Sequence, residues 1–164
     1  MSGNKKVNVI KANYQLQHKV GAGPLDEKTV QASQSVIDNN QVDFEPLALG
    51  ILKKLETGLE MANDPSVTMD RMKSILIAPV MELKANASIF KYDLVGNLAN
   101  VMLSFLEAIT VMDRDAIDIV RAHHNTLHMI VVRKMTGSGG DAGKMLVSEL
   151  KQACDRYYNK KNAR

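Results

Sequence analysis

The densest group of side chains able to bind a metal or move a proton is His123, His124 and His128. His124 and His128 are four residues apart, so on a helix their imidazoles lie one turn apart. That spacing can hold a divalent metal. The metalloprotease form of the pattern needs a glutamate directly after the first histidine, and Asn125 stands there. A third ligand is missing unless Asp118 or His123 swings in. Three histidines along one helix read as partly exposed polar positions, and no metal site is expected.

The run Gly137-Ser138-Gly139-Gly140-Asp141-Ala142-Gly143-Lys144 is similar to a phosphate-binding loop and fails it on three counts. The pattern's first glycine would fall on Ser138. Met145 follows the lysine where a magnesium-binding hydroxyl is required. No buried strand precedes the run. It reads as a connection between two helices. No serine, histidine and acid can be combined into a nucleophilic set, and Glu45, Glu56, Glu60, Glu82 and Glu107 are spread over three segments. Cys154, the one cysteine, excludes an internal disulfide and a cysteine-rich zinc site. An enzyme active site and a bound cofactor are therefore not expected.

The elements that must carry these residues are helices. The chain has 164 residues, 45% hydrophobic, with ten methionines and no tryptophan. Such a core has to be aliphatic, and leucine, methionine and alanine favour helices. Residues 1–24 hold four lysines and no acid and end in a glycine–proline cluster, which reads as a flexible basic arm. Residues 25–164 read as one helical domain. Its segments start near Asp26, Asp43, Ser66, Tyr92 and Asp113 and after Gly140. Leu47, Ile51, Leu55, Leu59 and Ala62 form one apolar stripe, and Leu94, Leu98, Met102, Phe105 and Ile109 another. Pro79 predicts a kink in the third segment. No segment alternates with period two, and the linkers are short. The expectation is an all-α, up-and-down four-helix bundle with accessory helices.

A net charge of +3 with basic ends does not argue for nucleic acid. No run approaches the ~18 apolar residues of a membrane span. Residues 1–19 lack the apolar core of a signal peptide, and a cytoplasmic location is expected.

The most informative stretch is Met81-Glu82-Leu83-Lys84-Ala85-Asn86-Ala87-Ser88, continuing through Lys91 and Leu98 to Leu106-Glu107. It resembles the core of histidine phosphotransfer (Hpt) domains, which read roughly His-x-Leu-Lys-Gly-x-Ala, then a turn, then a helix ending in Leu-Glu. Leu83, Lys84, Ala87, Leu98, Leu106 and Glu107 fit that frame. The family's histidine aligns with Met81, Ala85 replaces the usual glycine, and Lys91 stands where a turn glycine is common. The resemblance implies an Hpt-like bundle without its phospho-accepting residue. Such an adaptor would dock a response-regulator receiver domain or a histidine kinase through Met81, Glu82, Lys84, Ala85 and Ser88. Two alternatives stand beside it. One is phosphotransfer through another histidine, His124 first, then His123 or His128, with Arg121 the nearby cation. The other is a structural protein that self-associates through a face rich in methionine and leucine. Oligomeric state is not legible.

Overall fold

Three short polar side chains set where helices begin. Asp43 accepts from the Glu45 amide at 3.0 Å, Thr68 from Arg71 at 3.3 Å and Asp113 from Ala116 at 2.9 Å. Each satisfies a donor that has no partner inside its own helix. The computed structural model describes residues 26–38, 43–64 and 66–163. Its helices are α1 (Glu27–Asp38), α2 (Phe44–Glu60), α3 (Met69–Ile89), α4 (Asp93–Ala108), α5 (Arg114–Val132) and α6 (Gly140–Asn162). A 3-10 turn, Met61–Asn63, follows α2. No strand occurs among the described residues. The basic arm expected over residues 1–24 lies outside them.

The chain divides at Asn40/Gln41 into two units. α1 belongs to the first. Asp26 opens it, accepting from the Lys28 amide and the Thr29 hydroxyl, and Val30 and Val36 are exposed. In the second unit α2 packs on α3, α3 on α4, α4 on α5, and α5 back on α2. That ring is a four-helix bundle, and α6 lies along α4 and α5 as an accessory helix.

The buried faces follow the apolar spacing. On α4, Leu94, Leu98, Met102, Phe105 and Leu106 are sealed from solvent. On α2 the buried track is Phe44, Ala48, Ile51, Leu55 and Leu59, while Leu47 is exposed. The expected stripe was right at Ile51, Leu55 and Leu59; Leu47 sits at the border of the buried face, and Ala62 is half-buried in the 3-10 turn beyond α2. α3 runs unbroken through Pro79, which is buried. Tyr157 brings α6 in, with its ring edge-on to Phe105 at 5.4 Å and its hydroxyl donating to the Val111 carbonyl.

Two connections at one end of the bundle are tied together. α3 and α5 both end in a residue of positive φ, Lys91 at 60° and Lys134 at 50°. After α3, Tyr92 donates to Ala87 and Lys91 to Ser88. After α5, Met135 donates to Ile130 and Lys134 to Val131. Both are Schellman caps, with a lysine where glycine is usual. α4 has no side-chain cap of its own. Instead the Leu94 amide donates to the Gly137 carbonyl at 2.9 Å, and the Gly137 amide donates to the Lys91 carbonyl at 2.7 Å.

Candidate functional site

α3 turns its buried stripe, Leu76, Val80, Leu83 and Ala87, into the bundle. The adjoining face carries Met81, which is 54% exposed at mid-helix. Beside it lies a groove of about 680 Å³ between α3 and α4. α3 contributes Met81, Lys84, Ala85 and Ser88 to its walls. α4 contributes Asp93, Gly96, Asn97, Asn100 and Leu103. The Lys84 ammonium spans the groove and donates to the Asn100 Oδ1 at 2.7 Å. The Ser88 hydroxyl turns back to the Ala85 carbonyl at 3.1 Å.

Four of the five residues expected on a docking face therefore meet in one groove, and Glu82 is not among them. Its carboxylate pairs with Lys54 of α2 at 3.0 Å. A step of one residue turns a helix by about 100°, which carries Glu82 round from Met81 toward the neighbouring helix. The α4 wall escaped the reading of the sequence. Its signal was present: Asp93, Asn97 and Asn100 recur at helical spacing beside the apolar stripe. The partner of that polar face was not legible, because it is set by how α3 and α4 pair.

The histidines depart from expectation. His123 is fully buried, not partly exposed. Its Nδ1 lies 2.9 Å from the Ile119 carbonyl, and Nε2 has no hydrogen-bond partner among the described residues. Burial pushes its pKa down, the hydrogen bond opposing. His124 is also buried, with Nε2 3.2 Å from the Leu52 carbonyl of α2 and Nδ1 3.3 Å from Asn125. His123 is sealed inside the bundle, whereas His124 borders a surface cavity. His128 is exposed. Its ring stacks on His124 with centroids 6.3 Å apart, beside a cavity of about 380 Å³ that Glu56 also lines. Among the described residues no three His, Cys, Asp or Glu side chains are grouped to hold a metal ion.

The glycine-rich loop uses its backbone on its own fold. Besides the ties of Gly137, the Gly143 amide donates to the Gly139 carbonyl at 2.9 Å and the Gly140 amide to the Ser138 hydroxyl at 3.4 Å. Cys154 is buried, and burial pushes its thiol up to about 11, so it stays protonated at neutral pH. No helix among the described residues is long and apolar enough to cross a membrane. Compared with protein-family models, with curated proteins and with solved structures, the chain matches none.

Proposed function

We propose that this chain is a non-catalytic, Hpt-like adaptor of two-component signalling, docking a receiver domain or a histidine-kinase module through the α3–α4 groove. One observation carries the reading: the residue aligned with the family's histidine, Met81, stands exposed at mid-helix over a groove that Lys84, Ala85 and Ser88 share. The positive φ of Lys91 adds support, since the resemblance puts a turn glycine at that position. A thioether accepts no phosphoryl group. What Met81 offers is an apolar centre, and Lys84 and Asn97 give the groove a polar rim, the arrangement usual in small interfaces.

The test is binding of the full chain to purified receiver domains and histidine-kinase modules from the source genome. Met81→Glu is tolerated in the free chain, where the position meets solvent. In the complex it buries an unpaired charge, which costs roughly 3–5 kcal/mol and weakens binding ~100-fold or more. Circular dichroism and the melting midpoint stay as in wild type. Met81→His, with Lys84 in place, gains an acid-labile, base-stable label from a phosphorylated receiver. Label on the wild-type chain would sink the adaptor reading in favour of a phosphotransfer histidine, as would failure of every receiver and kinase module to bind.

A further inference from the structure

The Lys84 ammonium does not rest on a carboxylate. Lys53, Lys54, Lys134 and Lys144 pair with carboxylates. Lys84 instead rests on the neutral amide of Asn100. Asn100 fixes the direction of the ammonium without cancelling its charge, and an ammonium has three donors, of which this bond uses one. The groove therefore holds a positioned cation with donors to spare.

The two ends of the groove differ around it. α3 and α4 are joined by a short turn, so they run antiparallel, and the Lys84–Asn100 bond sets their register. Met81 and Leu103 then lie on one side of that bond, an apolar end. On the other side lie Ser88 and Gly96, and beyond them Asp93 at the turn. With a rise of 1.5 Å per residue, Met81 is about 4.5 Å along the axis from Lys84. The turn carrying Asp93 is roughly 10 Å away in the opposite direction. Apolar, cationic and anionic positions thus follow one another along a straight channel between two helices.

We propose that the groove selects an amphipathic partner helix by the order of its side chains: an apolar anchor over Met81 and Leu103, a carboxylate one turn on against Lys84, and a base about two turns further facing Asp93. Asn100 is the positioning residue of this selection. A helix laid in a groove is read through residues three, four and seven apart, and three groups in one order suffice to reject a partner with its charges exchanged. The inference rests on the groove being the docking surface proposed above, and adds what that surface recognises.

The test uses two stapled helical peptides of identical composition and, by circular dichroism, equal helicity. The first carries leucine, glutamate one turn on and lysine two turns beyond. The second exchanges the glutamate and lysine. Each is titrated into the full chain, following the amide and methyl resonances of Met81, Lys84 and Leu103. The first peptide is expected to bind about tenfold more tightly, an advantage that shrinks as salt screens the charges. Asn100→Asp, at an exposed position, neutralises Lys84 and lowers the ratio to the part that Asp93 alone supplies. Equal affinities in wild type, binding away from the groove, or binding of neither peptide would overturn the inference. Loss of receiver binding alone tells against the adaptor reading and leaves the order of side chains standing. Receiver binding with no peptide preference does the reverse.

Discussion

Lys91 and Lys134 occupy the left-handed region at φ 60° and 50°, where a β-carbon crowds the following carbonyl. The cost is about 1–2 kcal/mol for a residue other than glycine. The Lys134 ammonium lies between Asp43, the N-cap of α2, at 2.9 Å and Glu45, on that helix's first turn, at 3.1 Å. Lys91→Gly relieves the same strain at the α3 cap. It is expected to stabilise the fold by ~1 kcal/mol, read as a rise of roughly 2–4 °C in the melting midpoint. His123 gives a pH dependence of definite sign. Its folded pKa lies below the ordinary 6.5, because burial disfavours the charged ring. Below pH 6.5 the unfolded chain binds a proton that the folded chain refuses. The contribution to stability is therefore complete above pH 6.5 and declines as pH falls toward the folded value. Urea midpoints measured from pH 7.5 down to about pH 5 should drop in wild type, and less steeply in His123→Leu. That His123 would be buried was not legible. A histidine on an apolar stripe and one on a polar face differ only by the neighbours that arrive, and three helices, α2, α4 and α6, pack against α5.

At the scale of elements, what could be read was what repeats. α4 announces itself through Leu94, Leu98, Met102 and Phe105, and each of them is buried. The capping residues Asp43 and Asp113 stand where helices were expected to begin, since a short acceptor before an apolar run is a local signal. α6 begins within a residue of its expected start, but Leu146 and Leu150 are only half-buried, because an accessory helix covers one side of a bundle and buries less of itself. The loop before α6 carries the sharper constraint. Gly139 has φ 70°, and a β-carbon there would come within 2.8 Å of the Leu94 Cδ2. Gly139→Ala combines left-handed strain with that clash. It should cost ~2 kcal/mol or more, measured by chemical denaturation. A variant of wild-type stability would mean that this loop does not rest on α4. Glycines that resemble a phosphate cradle are thus explained by the approach of loop and helix.

For the molecule as a whole, every buried hydrophobic residue among those described falls between Phe44 and Tyr157. The core therefore belongs to the second unit. Residues 41–164 expressed alone should keep cooperative unfolding, with a melting midpoint within about 3 °C of the full chain. A larger fall would show that the first forty residues contribute to the core. The fold class was readable because helical periodicity is written into each segment. The ring order of the four helices follows from short connections. The α3 wall of the groove was legible, but its α4 wall required the finished packing, since Asp93, Asn97 and Asn100 lie beside the apolar stripe and do not show which helix they will face.

The start of α4 depends on a carbonyl supplied from far along the chain, Gly137, and the same residue's amide is held by Lys91. A helix capped by its own side chain can fray at that end without consequence elsewhere. Here fraying at Leu94 has to break the loop between α5 and α6 as well, so the two places share one opening event. In deuterium exchange the amides of Leu94 and Gly137 should show the same protection factor, with the same denaturant dependence. Gly139→Ala should speed both together.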